Sequence, residues 1–275
     1  MLYRLVRPFL KWPGSKYRIV NEIRARLPHG KRLVEPFVGS GAVFLNTDYP
    51  ACWLNDNNAD LVNLYRTLKA EGEDFIQYCR SFFVPENNTA ERYYELRETF
   101  NETKDVALKS ALLVYLNRYG YNGLVRYNAQ GGYNVPFGQY KRPYFPEAEM
   151  RHFYHRSQDA EFTVGDFTEV MSAAKPGDVF YCDPPYVPLS PTASFTTYSA
   201  GGFSMEQQAE LARLAAELAG RGIPVLISNH DTDFTNSAYR MAQITRLQVQ
   251  RFISCDGDNR GKVGEVLALF EGARS

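Results

Sequence analysis

The sequence predicts an α/β fold in which buried strands and helices alternate around an open sheet. Two stretches carry this prediction. The strand-forming run Val179–Cys182 ends at Asp183-Pro-Pro-Tyr186, and neither proline could lie inside a central strand. The apolar stretch that starts at Arg32 runs into the turn Gly39-Ser-Gly41 and then into a segment typical of a helix start. Both strands therefore end at the edge where open α/β sheets bind ligands.

Length and composition describe an ordinary globular protein. The 275 residues are 44% hydrophobic and 23% charged, and the net charge is zero, so a basic surface would have to be local. The four cysteines are scattered without a Cys-x-x-Cys pair, which predicts neither a disulfide framework nor a metal site. The amino terminus is too short and too interrupted for a signal peptide, and no run approaches membrane-spanning length. We therefore expect a cytoplasmic protein without a membrane partner.

Further strands and helices are predicted from the spacing of apolar residues along the chain and from residues typical of helix ends and turns. Strands are expected at Cys52–Asp56, in the run Glu161–Phe167 with Asp166 and Phe167 at its end, and at Ile223–Asn229, Ile244–Ile253 and Val263–Phe270. Helices are expected at Tyr17–Leu27, from Asn58 with the apolar face Leu61, Leu64, Tyr65 and Leu68, and at Asp74–Phe82, Thr89–Phe100 and Val106–Asn117.

One more helix has clear boundaries in the sequence. Ser204 and Gln207 form a capping box at its start, and Gly220 and Gly222 end it. The polar run Val187–Phe203 before it is long for a loop, which predicts a mobile lid.

The turn Asp183-Pro-Pro-Tyr186 gathers hydrogen-bond acceptors in a small volume. Its prolines fix φ and cannot donate backbone hydrogen bonds, which leaves carbonyl oxygens beside an ionised carboxylate. A planar amino group with two hydrogens fits such acceptors. Asp183 would accept one hydrogen and the Pro184 carbonyl the other, while Tyr186 lies against the ring that carries the amine. A rigid turn that only ends a strand is the alternative.

Several residues near the amino terminus are candidates for binding a nucleoside-like ligand. Lys11, Trp12 and Lys16 lie in one loop, where they could grip an anion and stack on a flat ring. Trp12 could equally fill a gap in the core. Asp56 ends the second strand, where an acid can accept hydrogen bonds from ribose hydroxyls or cap the next helix. Phe44 stands where a third glycine would complete a dinucleotide fingerprint, which argues against a pyrophosphate seat.

The segment from Val106 to Pro146 contains no Asp or Glu. It interleaves basic residues with tyrosines on a glycine-rich loop, which is the local electrostatic footprint expected for nucleic acid in a neutral protein. Packing of the tyrosines against a core is the alternative. The cations are Lys109, Arg118, Arg126, Lys141 and Arg142, and the tyrosines are Tyr115, Tyr119, Tyr121, Tyr127, Tyr133, Tyr140 and Tyr144.

Three motifs, in this order, carry a family resemblance: Phe9-x-Lys-Trp-x-Gly-x-Lys16, Glu35-Pro-Phe-x-Gly-x-Gly41 and Asp183-Pro-Pro-Tyr186. The chain resembles the Dam-type DNA adenine methyltransferases, whose targets are GATC sites, over nearly its whole length. The resemblance implies a Rossmann-like S-adenosylmethionine-dependent methyltransferase sheet in residues 1–57 and 145–275. It also implies a helical target-recognition domain, residues 58–144, inserted after the second strand. The change to a helix-only pattern near Asn58 agrees with this boundary.

The resemblance also implies roles for residues in catalysis and cofactor binding. The catalytic residues would be Asp183, Pro184 and Tyr186. The cofactor S-adenosylmethionine would be bound by Trp12, Lys16, Asp56 and Asp183, with Glu35, Phe37, Gly39 and Gly41 around its methionine part and Asp166 and Phe167 at its adenine.

For DNA, the resemblance implies contacts of three kinds. Lys11 would contact the outer guanine, and Tyr121 and Asn122 would lie near the flipped base and its orphaned partner. Base edges would be read by Leu124, Arg126 and Pro136, and the backbone would be held by Arg97, Asn128 and Tyr140. The chain departs from the family pattern at Gln139, Ser15 and the acidic stretch Cys255–Asp258.

The resemblance, together with the acceptor turn, implies an enzyme that methylates the exocyclic amine of adenine in double-stranded DNA, within GATC sites, after base flipping. S-adenosylmethionine is the expected methyl donor. We expect a monomer that needs no metal. The alternatives are a methyltransferase acting on RNA adenine or a protein amide, and a non-catalytic DNA-binding protein with the same fold. A nicotinamide-dependent enzyme is disfavoured by Phe44.

Overall fold

The computed structural model describes residues 5–188, 203–250 and 262–272. The chain forms two compact units, each built from separate stretches of sequence. The first unit comprises Met1–Val20, Val38–Asp48 and Asp56–Val164. The second unit comprises Asn21–Phe37, Tyr49–Asn55 and Gly165–Ser275.

Within the described residues, seven strands form one sheet in the order β3-β2-β1-β4-β5-β7-β6. The strands predicted from the sequence are all present. The run Glu161–Phe167 stops earlier than expected, at Val164, and the end of Ile244–Ile253 lies outside the described residues; the other strands lie within two residues of their expected ends. Their bounds are β1 Arg32–Glu35, β2 Ala51–Asp56, β3 Ala160–Val164, β4 Asp178–Cys182, β5 Val225–His230, β6 Gln243–Gln250 and β7 Lys262–Phe270.

The middle of the sheet is parallel, and one edge is antiparallel. β1 pairs in parallel with β2 and β4, and β4 pairs in parallel with β5. β7 pairs antiparallel with both β5 and β6. The chain leaves β1 toward β2, whereas β4 lies on the other side of β1. The carboxyl ends of β1 and β4 therefore mark the topological switch point, where open α/β sheets bind ligands.

The helices begin where the sequence provides side-chain caps. Asn58, Thr89 and Asp105 each accept a hydrogen bond from a backbone N–H of the helix that follows, and Ser204 and Gln207 form the predicted capping box. The helices are α1 Val20–Arg24, α2 Ala59–Glu71, α3 Glu73–Arg80, α4 Ala90–Glu102, α5 Val106–Tyr119, α6 Glu147–Arg156, α7 Phe167–Ser172, α8 Met205–Gly220 and α9 Asp233–Ala238, with 3₁₀ turns at Lys16–Arg18, Phe44–Asn46, Pro85–Asn87, Tyr121–Gly123 and Ser157–Asp159.

The prediction of a helix after the glycine turn is wrong. That segment contains a single 3₁₀ turn, Phe44–Asn46. The Asn46 amide donates to the Ala42 carbonyl at 2.8 Å, and the Thr47 hydroxyl donates to the Val43 carbonyl at 3.0 Å. Local side-chain bonds of this kind compete with the backbone ladder of a longer helix.

The core of the first unit is rich in aromatic rings. Phe9 packs edge-on against Tyr65 and Phe153, with centroids 5.9 and 5.1 Å apart, which is a favourable geometry for ring pairs. Every residue from Ser110 to Tyr119 of α5 is buried. This helix therefore supports the residues that follow its carboxyl end.

The core of the second unit lies between the sheet and its covering helices. Residues from β1, β4, β5 and β7 pack with α7 and α8, as the buried side chains Val34, Phe180 and Leu211 illustrate. At the amino ends of β1 and β4, the Arg32 guanidinium donates to both oxygens of the Asp178 carboxylate at 2.8 Å. The amino ends of the β1–β4 pair are thus joined by a bidentate ion pair.

Two predictions fall outside the described residues: most of the lid, Val187–Phe203, and the acidic stretch Cys255–Asp258. Within the part of the chain that is described, the helices are too short or too polar to cross a lipid bilayer.

Candidate active site

The acceptor turn lies directly after β4, at the switch point of the sheet. Asp183 is half-buried and Pro184 is buried. β1 is the neighbour of β4, and it ends at the buried acid Glu35. Burial, together with the Asp183 and Glu35 carboxylates, raises the pKa of the Cys182 thiol. Two acids therefore lie at the ends of adjacent strands, which makes this edge rich in acceptors.

Tyr186 is held by side chains from two other strands. Its hydroxyl donates to the Glu265 carboxylate on β7 at 3.2 Å, and its ring meets the His230 imidazole edge-on at 4.7 Å between centroids. His230 Nδ1 lies 2.6 Å from the Val187 carbonyl oxygen, which can only accept, so Nδ1 carries the proton. Burial, Asp183 and Glu265 raise the pKa of Tyr186 well above its usual value. The phenol therefore stays protonated and can donate.

Three aromatic rings group in the second unit. Phe37 stacks on Phe167 at 5.4 Å, and Phe203 lies 5.5 Å from Phe37 and 5.2 Å from Phe167. The exposed Asp166 accepts from the Thr168 N–H at 2.9 Å and so caps α7. The structure thus brings together Phe37 and Phe167, which were predicted to bind the cofactor, and adds Phe203, which was not predicted.

The buried Asn55 ties two loops of the second unit together. Its amide donates to the Pro36 carbonyl at 3.0 Å and to the Gly165 carbonyl at 2.9 Å. These two carbonyls belong to the segments that follow β1 and precede α7. Asn55 therefore fixes the approach of the segments that carry Phe37 and Phe167.

The glycine loop lies in the first unit and is shaped by its neighbours. Gly39 has φ +47°, and a Cβ there would lie 2.9 Å from Trp12 Nε1, so only glycine fits. The Gly39 N–H donates to the Asp56 carboxylate at 3.0 Å, and the Tyr65 hydroxyl donates to the Gly39 carbonyl at 2.5 Å. Gly41 has φ +70°. The loop therefore packs closely against Trp12 and Asp56.

Asp56 does not cap the next helix. Asn58 caps α2 instead, and the alternative interpretation of Asp56 is wrong. Asp56 accepts from the Asn58 N–H at 3.0 Å as well as from Gly39. Burial raises the pKa of Asp56, and the backbone N–H donors oppose that rise. A carboxylate held this way has the chemistry needed to bind hydroxyl groups.

The first loop is closed by short-range bonds. The buried Lys16 donates from Nζ to the Gly14 carbonyl at 2.6 Å. The Ser15 and Ser40 hydroxyls lie 3.0 Å apart, so Ser15 links this loop to the glycine loop. Trp12 is half-buried. The predicted residues Trp12, Lys16 and Gly39 are thus neighbours in one unit.

The predicted DNA contacts begin at the carboxyl end of α5. The buried Asn117 accepts from the Lys11 N–H at 2.9 Å and donates to the Lys11 carbonyl at 2.8 Å. Lys11 Nζ lies 4.5 Å from the centre of the Tyr140 ring. The Tyr140 hydroxyl accepts from the Asn122 N–H at 2.9 Å, and Asn122 has φ 53°. Lys11, Asn122 and Tyr140 are therefore close together.

Other predicted DNA contacts lie on the irregular segment that follows. Tyr121 is 52% exposed, and its N–H donates to the Pro136 carbonyl at 2.8 Å. The exposed Arg126 donates from Nε to Asn134 Oδ1 at 2.7 Å. Tyr127 pairs with Tyr133 by an isolated bridge, which makes a narrow loop.

Three further residues that were predicted to contact DNA make hydrogen bonds within the protein or are partly buried. The Asn128 side chain accepts from the Gln130 and Gly132 N–H groups at 3.0 and 2.9 Å, so it shapes the loop. Arg97 is half-buried and donates to the Val135 carbonyl at 3.2 Å. Leu124 is half-buried.

Two of the five cations in the basic segment are engaged by contacts that leave them little exposed. The buried Arg118 donates to the Phe9 carbonyl, and burial lowers its pKa. Lys109 pairs with the Asp60 carboxylate at 3.1 Å. The exposed cations of the segment are Arg126, Lys141 and Arg142.

Several residues around the acceptor turn were not predicted from the sequence: Gln208, Asn229, His230 and Glu265. Asn229 and His230 interrupt the apolar strand Val225–His230 with polar side chains, which is a signal for a buried polar role. Glu265 gives a similar signal within the apolar run of β7, whereas Gln208, on a helix, gives none. Within the described residues, no group of three or more His, Cys, Asp or Glu side chains could hold a metal ion.

The fold and the site define a class. A mainly parallel sheet with an antiparallel β7 between β5 and β6, and an acceptor-rich turn at its switch point, is a Rossmann-like methyltransferase fold. The family described as D12 class N6 adenine-specific DNA methyltransferase matches residues 12–253. The chain belongs to this family. It is an adenine-specific DNA methyltransferase that uses a methyl donor of the S-adenosylmethionine type.

Proteins of other organisms are similar along almost the whole chain. DNA adenine methylases of Salmonella typhi and Escherichia coli (strain K12) are each 51% identical over 265 residues, which is 96% of this chain and 95% of each relative. A DNA adenine methylase of Vibrio cholerae is 50% identical, with 96% of both chains covered. Among solved structures, an rRNA methyltransferase of Streptomyces viridochromogenes has a TM-score of 0.40 at 15% identity, over 94% of this chain and 86% of that one. That likeness is too weak to support an argument.

Proposed function

We propose that the enzyme transfers the methyl group of S-adenosylmethionine to the exocyclic amine of adenine in GATC sites of double-stranded DNA. The amine cannot be reached inside a duplex, so the base must leave the helix at a cost of roughly a few kcal/mol. The observation that carries the proposal is the acceptor turn. It joins a half-buried carboxylate, a proline carbonyl and a tyrosine held by two other strands.

The turn binds and orients the amine. The Asp183 carboxylate accepts one amine hydrogen and the Pro184 carbonyl accepts the other, while Tyr186 stacks on the base. These bonds localise the nitrogen lone pair, and the rigid turn holds the nitrogen in position, which lowers the entropic part of the barrier. When bound, S-adenosylmethionine supplies a sulfonium methyl group that is already activated toward a nitrogen nucleophile.

Each unit contains residues whose chemistry suits the binding of S-adenosylmethionine. In the first unit, the Asp56 carboxylate suits ribose hydroxyls, and Gly39, which has no side chain, lets the Trp12 ring lie against the glycine loop. In the second unit, the Phe37 and Phe167 rings suit stacking against a purine. We therefore assign cofactor binding to Trp12, Lys16, Glu35, Phe37, Gly39, Gly41, Asp56, Asp166, Phe167 and Asp183.

DNA recognition is assigned to the first unit. A Lys or Arg side chain that reaches the edge of guanine discriminates by roughly 1–3 kcal/mol. Support comes from the closeness of Lys11, Tyr140 and Asn122, and from the exposure of Arg126 and Tyr121. The DNA-binding set is Lys11, Arg97, Tyr121, Asn122, Leu124, Arg126, Asn128, Pro136 and Tyr140.

We also propose that residues 58–144 are the target-recognition insert. Between the end of β2 and residue 144 the chain forms α2 to α5, two 3₁₀ turns and an irregular segment with two isolated bridges. It contributes no strand to the sheet, as expected for an insertion that serves binding.

The test is methyl transfer to defined duplexes by the Asp183→Ala variant. We expect loss of turnover by far more than tenfold, with an unchanged circular-dichroism spectrum, because the variant loses the acceptor for one amine hydrogen. The exposed Asp233→Ala variant, in the same unit, is the matched control and should keep wild-type turnover. Turnover of Asp183→Ala within tenfold of wild type would remove Asp183 from the mechanism.

The same assay tests the substrate. Duplexes with a GATC site, with one altered base in that site, and a structured RNA with the same sequence are compared. We expect methylation of the GATC duplex, and its product should change cleavage by nucleases sensitive to adenine methylation in GATC. Equal rates on the altered duplex would refute the sequence assignment, and faster transfer to RNA would refute the DNA assignment.

A further inference from the structure

The backbone on both sides of Tyr186 is held by buried amide side chains. The Gln208 side chain, on α8, donates to the Pro185 carbonyl at 2.7 Å. The Asn229 side chain, on β5, accepts from the Val187 N–H at 3.0 Å. Because prolines have no N–H, the turn has few donors of its own with which to fix its shape. These two side chains supply the missing constraints from outside the turn.

The two amides also hold each other. Asn229 Nδ2 donates to Gln208 Oε1 and to the Tyr239 hydroxyl, both at 3.0 Å. Asn229 Oδ1 accepts a second hydrogen bond from the His230 N–H at 2.9 Å. Gln208 is 1% exposed, and Asn229 and Tyr239 are fully buried. A buried polar network with its hydrogen bonds made is rigid, since each member would lose a partner if it moved.

The network lies inside the apolar core rather than at its surface. Leu211 and Ile227, which are neighbours of these amides along α8 and β5, belong to the core cluster of the second unit. Two buried amides in such a place are costly unless they are satisfied. A core that needed only packing would be served by apolar side chains, so the placement points to a task at the turn.

We propose that Gln208 and Asn229 are positioning residues that set the placement of the Tyr186 ring for methyl transfer. Gln208 fixes the carbonyl before the ring and Asn229 fixes the N–H after it, while Glu265 holds the hydroxyl at the far end. The inference rests on the role of Tyr186 proposed above. Neither of the two amide side chains is proposed to contact the base or the methyl donor.

The test begins with Gln208→Met, which keeps side-chain length but loses the donor to Pro185. We expect kcat to fall by roughly ten- to a hundredfold, the order of effect that misplacement by about 1 Å produces. The dissociation constant for a GATC duplex should stay within threefold of wild type. Tyr239→Phe is the matched control, because it deletes a hydrogen bond to Asn229 without touching the turn. It should change kcat less than threefold.

Two further variants separate positioning from stability. In Gln208→Glu, the ionised side chain repels the Pro185 carbonyl, whereas the protonated one can donate to it. Activity relative to wild type should therefore recover as pH falls. In a Tyr186→Ala background, Gln208→Met should lower kcat little further, because both changes act through the same ring.

Three outcomes would overturn the proposal. Gln208→Met and Tyr239→Phe could lower kcat equally, in step with their melting temperatures, which would reduce the network to a structural role. Gln208→Met could leave kcat unchanged while Tyr186→Ala abolishes it, which would refute the positioning role alone. Tyr186→Ala could keep wild-type kcat, in which case the proposed role of Tyr186 falls and the positioning role falls with it.

Discussion

Lys11 has surroundings unlike those of an ordinary surface lysine. Burial and then the Arg118 guanidinium lower its pKa from the usual 10.5. If Lys11 reads guanine, it does so through its ammonium donors, which deprotonation removes. Discrimination at the outer base pair should therefore be lost as pH rises, at a lower pH than for an ordinary lysine. The measurement is the ratio of kcat/KM for GATC and for a duplex altered at the outer guanine, from neutral to alkaline pH.

The control for this prediction is Lys11→Arg, whose guanidinium stays charged throughout. Its discrimination ratio should be flat where that of the wild type falls. A flat ratio for the wild type would mean that Lys11 does not use its charge to read guanine.

At the scale of single residues, sequence reasoning finds the acceptor turn but not what supports it. Asp183, Pro184 and Tyr186 are adjacent in one motif, so their chemistry can be read locally. The partners of the turn are distant in sequence: Gln208 is 23 residues from Pro185, and Glu265 is 79 from Tyr186. Only the folded sheet brings them together, and nothing near them in sequence indicates it.

Helix α5 and the loop before α1 are joined by one side chain, Asn117. It makes two hydrogen bonds to the backbone of Lys11 and donates a third to the Gly123 carbonyl at 3.1 Å. In Asn117→Leu, the Lys11 N–H and carbonyl lose their partner, at roughly 1–3 kcal/mol for each buried group. We expect the free energy of unfolding to fall by about 2–6 kcal/mol and guanine discrimination to fall with it. Chemical denaturation and the assay described for Lys11 measure both.

Asn101 offers a comparison for this prediction. It makes the same pair of bonds to the Tyr133 backbone, at 2.8 and 3.2 Å, but it is exposed. Water can replace its amide, so Asn101→Leu should cost less stability than Asn117→Leu. An equal loss in both variants would show that burial does not set the cost of this kind of contact.

Helices with a regular spacing of apolar residues were predicted well. A segment whose conformation depends on hydrogen bonds between side chains and nearby backbone carbonyls was not. The apolar face of α2 and the capping box of α8 agree with the structure. The helix expected after Gly41 is replaced by a 3₁₀ turn, because Asn46 and Thr47 bond to nearby carbonyls. Helices α6, α7 and α9 were missed, and the last two are only six residues long. Periodicity needs more than one or two turns to be visible.

At the scale of the whole molecule, the sequence shows the strands but not their order. The composition of β7 could have indicated a central position, since its run of apolar residues is buried on both faces. From Arg246 to Gln250, β6 alternates polar and apolar residues, which is typical of a strand with one face in water. That these two strands are antiparallel, with β7 beside β5, follows from packing that no single segment encodes.

The neutral charge of the chain makes DNA binding depend on where its cations lie. There are 31 Lys and Arg and 31 Asp and Glu, and Arg118 and Lys109 are engaged inside the protein. Each cation on a phosphate contributes about −0.9 to the slope of log K against log salt. We expect Lys141→Ala to make this slope shallower by about 1 on every duplex.

Arg126→Ala should keep the slope but lose roughly 1–3 kcal/mol of discrimination between GATC and altered sites. Dissociation constants over a salt series measure both, and a shallower slope for Arg126→Ala, with equal weakening on all duplexes, would assign that arginine to phosphate alone.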